Sequence, residues 1–386
     1  MLIPRNSLKL RICGLGLPVP IFLISLTLIS INYLSMSTSE HSAVVAPVDA
    51  EEGEFHFEYT VHKGVFMQSE DETDDTKFDF KKTNFGLIPR SYPTDAHADD
   101  QRQWKRLEKY VRSLAATASW NERVKLLFLG RHGQGWHNVA ETKYGTEAWD
   151  CYWSALDGAD GITWADAHLT PVGEAQAKDV RDLWAAQIPL GIPLPEKYYV
   201  SPLTRTIQTA DQTFSSLPLP ATHAYKPLIK ELLREALGIH TCDRRSTRSH
   251  IHTSFPHVVF EPGFAQNDHL WLPDYREPRS ARRYRLAVLL DELFSATEED
   301  GEGRREIFVS LTSHSGAIGS ILQVLGHRAF ALETGGVIPV LLSARRVSGK
   351  RAVPPKEPSD APPLCPEPPP PTYSSHTAAA AADTEA

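Results

Sequence analysis

The chain is predicted to fold as an α/β protein with a mostly parallel sheet that helices cover on both faces. Three observations predict this class. Short apolar runs bounded by breakers are typical of buried parallel strands. Segments whose apolar residues recur at helical spacing lie between those runs. Strands and helices therefore alternate along the chain, as parallel strands joined by helical crossovers require.

The first well-defined strand is the apolar run Leu126–Leu129, which ends abruptly at Gly130. The clearest helix start follows Leu169, because Thr170 can cap the helix and Pro171 suits its first position. Strands are expected at 126–129, 197–200, 227–229, 307–311 and 337–342, with one or two short strands within 54–66. Helices are expected at 100–118, 138–144, 170–186, 203–214, 284–294 and 316–325.

Length and composition exclude one class of protein. At 386 residues the chain is long enough for one large or two ordinary domains, and its apolar content of 41% supports a substantial core. The formal net charge of -8 and the pI near 6.1 argue against a nucleic-acid-binding protein, which would carry a basic surface.

The four cysteines indicate neither a zinc site nor a disulfide scaffold, since they lie far apart and form no Cys-x-x-Cys motif. Cys13 falls in an N-terminal apolar stretch and Cys365 in a proline-rich tail. Only Cys151 and Cys242 are candidates for a disulfide, and we expect both to be free thiols instead.

The N-terminal segment, residues 1–34, is predicted to be a signal anchor. Arg5, Lys9 and Arg11 precede an almost uncharged run over residues 12–34, which is long enough to cross a bilayer. Acidic residues follow it, so the amino end should stay in the cytosol and the following domain should lie in the lumen or outside the cell. Cleavage as a signal peptide with secretion is the alternative, and a misassigned start codon is a third.

Composition also divides the rest of the chain. Residues 35–53 are rich in Ser, Thr and Ala and are predicted to be a flexible linker. The folded domain is expected at 54–346. Residues 347–386 are rich in proline and then alanine, cannot bury a core, and are predicted to be disordered. A proline-rich ligand for another domain is the alternative for this tail.

The stretch Gly130-Arg131-His132-Gly133 follows the strand at 126–129. Open α/β sheets place their sites at the carboxyl ends of such strands. A guanidinium grips phosphate oxygens while a neighbouring imidazole attacks phosphorus, so this pair of side chains suits phosphoryl transfer. A single Arg-His-Gly is weak evidence in a chain with 16 histidines, and the prediction depends on further motifs.

Two other strand ends carry similar residues. Arg205 falls in the first turn of a predicted helix, where the positive end of the helix dipole disfavours it unless an anion binds there. His314 lies at a strand-to-helix junction. Between them, Glu235 is a candidate acid, followed by a glycine at Gly238.

Four motifs occur in an order that points to a known family. They are Arg131-His132-Gly133, Leu169-Thr170-x-x-Gly173, Ser201-Pro202-x-x-Arg205-x-x-x-Thr209-Ala210 and Ser313-His314-Ser315-Gly316. Together they resemble the histidine phosphatase superfamily, the phosphoglycerate-mutase-like proteins. The resemblance is strongest to a fungal, phosphatase-like branch with an Arg-His-Gly-Gln-Gly-x-His-Asn signature, and it covers residues 55–345.

The resemblance implies a three-layer α/β/α sandwich with a mostly parallel central sheet, and catalysis through a phosphohistidine. It makes His132 the nucleophile and Glu235 the proton donor. It assigns Arg131, Arg205 and His314 to the transferred phosphoryl group, with His314 also among the catalytic residues. These roles agree with elementary chemistry, because phosphoryl transfer needs positioning and positive charge, and the leaving alkoxide needs a proton.

Five further residues are weaker candidates. Asn138 resembles the family's Asn after this loop and is predicted to bind phosphate, and His137 lies near the same pocket; either could instead only support the loop. Arg244 and Arg245 resemble the mutases' paired arginines that hold a distal carboxylate, with a solvated pair as the alternative. Glu231 precedes the predicted acid by four residues, so a helical turn would put both on one face.

Three functions remain open. The first is a metal-independent phosphatase that hydrolyses a small organic phosphomonoester through a phosphohistidine on His132. The second is a mutase-type isomerase, which Gln134 disfavours because mutases commonly have glutamate there. The third is an inactive binding homologue, which the complete set of catalytic residue types disfavours. No cofactor or metal is expected, since no cluster of carboxylates or cysteines offers a site. The expected partners are a small phosphorylated substrate and the membrane, through residues 12–34, and not nucleic acid.

Overall fold

The computed structural model describes residues 54–97, 102–295 and 306–369. The strands are β1 (Phe55–Val61), β2 (Glu122–Arg131), β3 (Gly158–Ala159), β4 (Ile162–Thr163), β5 (Lys197–Val200), β6 (Pro227–Ile229), β7 (Val259–Phe260), β8 (Phe308–Ser313) and β9 (Val337–Ser348). The α-helices are α1 (Gln103–Thr117), α2 (Trp136–Tyr144), α3 (Thr146–Cys151), α4 (Pro171–Gln187), α5 (Thr204–Phe214), α6 (Arg248–Ser254), α7 (Arg279–Ser295) and α8 (Ser315–Val324).

The central sheet has seven strands in the order β1-β9-β2-β8-β5-β6-β7. The strands from β2 to β7 in this order run parallel to one another, while β9 is antiparallel to both β1 and β2. The prediction of a mostly parallel sheet is therefore confirmed. In the register of β2 and β8, Arg131 lies beside Ser313, so the loops that carry His132 and His314 begin at the same edge of the sheet.

The alternation of side chains along β2 explains the three layers. Leu127 and Leu129 point into a core that α7 and α8 cover, whereas Leu126 and Phe128 belong to a second core beneath α1 and α4. Successive residues of a strand face opposite sides of the sheet, so a wholly apolar strand needs helices on both faces. The fold is a three-layer α/β/α sandwich, as predicted.

Most predicted elements are confirmed with small changes at their ends. The strands at 197–200 and 227–229 have the predicted bounds, and α4 begins at Pro171 with the Thr170 hydroxyl accepting a hydrogen bond from the Gly173 N–H at 3.1 Å. The short elements α3, α6, β3, β4 and β7 were not predicted, because two to seven residues carry too little periodicity.

The prediction of free thiols at Cys151 and Cys242 needs correction. Cys151 forms a disulfide with Cys365 across a sequence separation of 214 residues, and Cys242 is a buried free thiol. The pairing was missed because Cys365 was assigned to a tail without structure.

The same finding corrects the prediction of a disordered tail from residue 347. Residues 350–369, hereafter the C-terminal strap, lie along the domain surface. Arg351 forms an ion pair with Asp291 of α7 at 2.8 Å, and the Tyr275 hydroxyl donates to the Glu357 carbonyl at 3.0 Å. An extended, proline-rich segment buries little apolar surface, but its backbone and polar side chains can still bond to a folded neighbour. The residues after 369 lie outside the described part.

The prediction of a single-pass membrane protein is contradicted. Within the described ranges no helix is long and apolar enough to cross a bilayer. The predicted anchor at residues 12–34 and the predicted linker at 35–53 lie outside those ranges.

Candidate active site

The loop after β2 is held tightly from two sides. A Cβ atom at Gly133 would lie 2.3 Å from the Gly173 carbonyl oxygen, so only glycine allows the loop to approach the start of α4 this closely. The Gly133 N–H donates to the Thr209 hydroxyl of α5 at 3.0 Å, and the His132 N–H donates to the Ser313 carbonyl at 3.0 Å. These contacts fix the loop before any ligand binds.

His132 is 2% exposed and holds one definite tautomer. Its Nδ1 lies 2.7 Å from the Gly133 carbonyl oxygen, which can only accept, so Nδ1 carries the proton. Burial, reinforced by the positive charge of Arg205, lowers the pKa of His132 well below its usual value. The ring is therefore neutral, with the lone pair on Nε2 available as a nucleophile.

Two other buried histidines surround this ring. The ring centroids of His314 and His137 lie 5.1 Å and 5.3 Å from that of His132. His314 is the residue before α8, and its Nε2 lies 2.8 Å from the Ser201 hydroxyl. Burial, followed by the charge of Arg205, lowers the pKa of both His137 and His314 well below the usual range.

Arg131 and Arg205 supply the positive charge of the site. The Arg131 Nη1 donates to the Leu332 carbonyl at 2.7 Å, and burial lowers the pKa of this guanidinium. Arg205, 1% exposed, donates from Nη1 to the Cys242 carbonyl at 2.6 Å and from Nη2 to Asp243 at 2.8 Å. Each guanidinium is thus anchored by some of its nitrogens only.

Four buried side-chain nitrogens around His132 have no hydrogen-bond partner among the described residues. They are Nε of Arg131, Nε of Arg205, Nδ1 of His137 and Nδ1 of His314. Three helices also begin here, since α2 starts after Gly135, α5 carries Arg205 in its first turn, and α8 follows His314. Helix starts present free N–H groups and partial positive charge, so the site is built for an anion.

Glu235 lies at the edge of this group. Its Oε2 accepts from the Gly316 N–H in the first turn of α8 at 2.8 Å, and its Oε1 accepts from the Ala236 N–H at 3.1 Å. Arg282 Nη1 lies 3.5 Å from the same Oε1, and the negative charge of Glu235 acts on Arg131. The carboxylate is therefore oriented towards the cationic group without a short ion pair of its own.

Glu231 and Glu235 do not share a helix face. The 3₁₀ turn Glu231–Leu233 ends before Glu235, and Glu231 bonds to Arg234 at 2.9 Å and to Arg245 at 2.7 Å. Arg245 also donates to the Ala265 and Asn267 carbonyls at 2.9 Å each. The structure places both Glu231 and Arg245 in a largely buried ion-pair network with Arg234.

The remaining weaker candidates have other contacts. Arg244 pairs with Asp157 at 2.6 Å in a partly exposed position. Asn138 accepts from the Gly135 N–H at 2.9 Å, so its side chain bonds back to the residue that precedes α2. Gln134 accepts from the Thr170 hydroxyl at 2.7 Å and so ties the loop to α4.

Asp243 and Arg276 belong to the site but were not singled out from the sequence. Asp243 bonds to Arg205 and also accepts from Arg276 Nη1 at 2.9 Å. The two positive charges outweigh the effect of burial, which alone would raise the pKa of Asp243, and they lower it. The neighbouring Arg244-Arg245 drew attention to this stretch, but no local pattern marks the acid before them.

One group of possible metal ligands occurs in the described part of the chain, formed by His240, Cys242 and Asp243. It does not fit a metal, because both Asp243 oxygens already bond to Arg205 and Arg276. Burial, reinforced by the charge of Asp243, raises the pKa of the Cys242 thiol, which opposes the thiolate that a metal requires.

Comparisons with known proteins identify the family of this chain. Residues 156–333 match the family model described as "Histidine phosphatase superfamily (branch 1)". A protein of Arthroderma benhamiae named "Probable phosphoglycerate mutase" is 53% identical over 287 residues, which cover 74% of this chain and 84% of that protein. The "Phosphomutase-like protein 3" of Candida albicans is 40% identical over 237 residues, covering 60% of this chain and 71% of the relative.

Solved structures are more distant. A mycobacterial glucosyl-3-phosphoglycerate phosphatase has 19% identity and a TM-score of 0.33, over 58% of this chain and 98% of that one. A protein of Thermus thermophilus has 20% identity and a TM-score of 0.30, over 55% and 92% of the two chains. The family model and the fungal relatives carry the assignment: this chain belongs to the histidine phosphatase superfamily, and its fungal relatives are phosphoglycerate-mutase-like proteins.

Proposed function

We propose that this protein is a phosphatase that hydrolyses a small organic phosphomonoester through a phosphohistidine on His132. The observation that carries the proposal is the group of four buried, unpartnered nitrogens on Arg131, Arg205, His137 and His314, counted among the described residues. Buried polar atoms are normally paired, and an unpaired one is costly. A phosphoryl group brings three strong acceptor oxygens and a negative charge that match this arrangement.

The first step is the transfer of the phosphoryl group to His132. The Nε2 lone pair forms a bond to phosphorus while the bond from phosphorus to the ester oxygen breaks. The Nδ1 proton stays in place, because the Gly133 carbonyl oxygen accepts it at 2.7 Å and so stabilises the positive charge that develops on the ring. Glu235, in its protonated form, gives its proton to the departing alkoxide, which leaves as an alcohol.

Hydrolysis of the phosphohistidine completes the cycle. A water oxygen attacks phosphorus, the phosphorus–nitrogen bond breaks, and its electron pair returns to Nε2. The water proton passes to the Glu235 carboxylate, which is thereby reset for the next turnover. The hydrogen bonds from Gly316 and Ala236 orient the carboxylate that this second step uses as its base.

Two guanidiniums and the helix starts supply the charge that the transition state requires, so we propose that the reaction needs no metal. We propose that His314 donates a hydrogen bond to the bound phosphoryl group, because the negative charge of that group beside the ring favours the protonated form of the imidazole. Ser201 supports this, since its hydroxyl lies 2.8 Å from Nε2 and can accept as well as donate.

The test of this proposal is to trap the covalent intermediate. Wild type is mixed briefly with radiolabelled p-nitrophenyl phosphate, and the reaction is quenched in alkali, in which a phosphohistidine survives. A sample is then treated with acid, which releases phosphate from a phosphohistidine but not from a phosphoserine. We expect label on wild type that acid releases, and none on His132→Asn. Equal labelling of His132→Asn, or loss of labelling on treatment with a chelator, would contradict the proposal.

A mutase is the second candidate, because relatives of this chain carry phosphoglycerate mutase names. Both activities use the same phosphohistidine and differ in whether water or a bound alcohol takes the phosphoryl group. A mutase must retain its product, yet Arg245 is fully paired within the protein and Arg244 pairs with Asp157. These contacts support hydrolysis over isomerisation.

One assay separates the two candidates. The protein is supplied with 3-phosphoglycerate and a catalytic amount of 2,3-bisphosphoglycerate, and both 2-phosphoglycerate and inorganic phosphate are followed. We expect phosphate release from a panel of esters, with at most slow formation of 2-phosphoglycerate. Rapid isomerisation with little phosphate release would establish the mutase instead.

A further inference from the structure

Asp243 is the one carboxylate that touches Arg205 directly in the described structure. Its Oδ1 accepts from Arg205 Nη2 at 2.8 Å, and its Oδ2 accepts from Arg276 Nη1 at 2.9 Å. Asp243 is 3% exposed and Arg205 is 1% exposed. Each carboxylate oxygen thus holds a different guanidinium in a region from which water is largely excluded.

This arrangement solves an electrostatic conflict. A buried guanidinium at the start of a helix is unfavourable without a negative partner, but a single carboxylate would cancel the charge that attracts phosphate. Two guanidiniums share the one carboxylate here, so the trio of Arg205, Asp243 and Arg276 keeps one net positive charge. Arg205 also keeps its Nε without a partner in the described protein, while Nη1 and Nη2 are both anchored.

We infer that Asp243, supported by Arg276, is a positioning residue that aims the Arg205 guanidinium at the transferred phosphoryl group. The inference rests on the proposed function, because it concerns the affinity of that same site for phosphate. Asp243 fixes the plane of the guanidinium through Nη2, and the Cys242 carbonyl fixes it through Nη1. The unpartnered Nε–H of Arg205 then points in a direction set by the protein, and binding costs little further ordering.

Arg276 is itself held by the C-terminal strap. Its backbone N–H donates to the Ser359 hydroxyl at 2.9 Å, and its carbonyl accepts from the Asp360 N–H at 3.1 Å. The strap is fastened a few residues later by the disulfide between Cys365 and Cys151. A continuous set of contacts therefore runs from the strap through Arg276 and Asp243 to Arg205.

Replacing Asp243 by asparagine tests the inference with little change in volume. The amide keeps one acceptor oxygen, but its NH₂ group faces a guanidinium and cannot accept from it. One of the two arginines must then move away, and the fixed aim of Arg205 is lost. We expect a rise in the inhibition constant for inorganic phosphate of about 10- to 100-fold, the range for one charge-assisted hydrogen bond.

The experiment uses the full chain and measures competitive inhibition by inorganic phosphate during hydrolysis of p-nitrophenyl phosphate. Asp211→Asn is the matched control, because Asp211 lies on the same helix α5 and bonds to Tyr225 and His257, away from the trio. Its inhibition constant should stay near that of wild type. If Asp243→Asn does not fold, Arg276→Gln is the second variant. It should also raise the inhibition constant for inorganic phosphate.

Combination with Arg205→Gln separates positioning from a general loss of structure. If Asp243 acts through Arg205, Asp243→Asn should have almost no further effect on phosphate affinity when Arg205 is already absent. A structural role alone would lower the folded fraction equally in both backgrounds and leave the inhibition constant of the folded protein unchanged. That result, with wild type active, would overturn the inference and leave the phosphatase proposal intact. A wild type that neither hydrolyses esters nor binds phosphate would overturn both.

Discussion

Two pairs of arginines whose Nε atoms lie inside the protein look alike in the sequence and differ in their contacts. Arg131 and Arg205, beside His132, each keep Nε without a partner in the described structure. Arg245 and Arg285, by contrast, use all three nitrogens within the protein. Arg285 holds both oxygens of Glu277 at 2.8 Å and 2.6 Å and also donates to backbone carbonyls.

The difference shows that burial of an arginine does not by itself identify a binding site. A guanidinium whose N–H groups all bond within the protein, here called saturated, has none left for a ligand. Removing it leaves a buried carboxylate without its charged partner. An unsaturated guanidinium has already been desolvated by the fold and is ready for an anion. We therefore expect substitutions in the two pairs to separate catalysis from stability.

The largest effect is expected for Arg205→Gln. Loss of one preorganised donor to the transition state should lower kcat/KM by about 10²- to 10³-fold. Steady-state kinetics with p-nitrophenyl phosphate measure this, and urea unfolding verifies that the variant is folded. A loss below about threefold in kcat/KM would show that Arg205 does not touch the phosphoryl group.

The second effect concerns the saturated pair. Arg245→Gln leaves Glu231 with Arg234 as its remaining charged partner, so the free energy of unfolding should fall by about 3 kcal/mol. The folded variant should keep the wild-type KM. Urea denaturation and initial rates give the two quantities. A raised KM with unchanged stability would instead place Arg245 in contact with substrate.

A third effect is expected from the disulfide. Cys365→Ser removes a cross-link over 214 residues, which should cost about 2 to 4 kcal/mol of stability, the range typical of disulfides. Cys242→Ser serves as a comparison, since Cys242 forms no disulfide. Thermal unfolding with and without a reductant measures the difference. If reduction leaves the melting temperature of wild type unchanged, the strap contributes nothing to stability.

The effect that is smallest at neutral pH is a pH dependence, which belongs to the site around His132. Burial lowers the pKa values of His132, His137 and His314 in the folded protein, while the unfolded chain titrates near about 6.5. Below that pH the unfolded state binds more protons, so stability is retained at neutral pH and falls as the pH drops. Each histidine should contribute a slope approaching about 1.4 kcal/mol per pH unit.

Urea unfolding across about pH 5 to 8 measures this slope. His137→Asn should reduce it, whereas substitution of the exposed His250 should not. The same lowered pKa keeps the His132 nucleophile neutral in mild acid, so kcat/KM should not fall with a midpoint at the ordinary imidazole pKa. An acid limb centred near about 6.5 would show that burial does not control this ring.

Some features of the site follow from local sequence alone. A four-residue apolar run followed by Gly130 predicts that Arg131 and His132 lie at the edge of a sheet, since the alternation of strands and helices requires parallel neighbours. Thr170 and Pro171 start α4 for reasons confined to one helical turn. Such predictions succeed because the interactions that decide them lie within a few residues.

Other features were decided by the tertiary structure. Asp243 meets Arg205 across 38 residues, and Cys151 meets Cys365 across 214. Periodicity and composition contain no information about such meetings. For this reason the strap was predicted to be disordered, and the ion pair of Arg245 with Glu231 was not foreseen. The sequence by itself determined which side chains stand at the ends of the strands. Only the tertiary structure decided which of those groups are already bonded, because the number of N–H groups left for a ligand depends on every neighbour that the fold brings to the side chain.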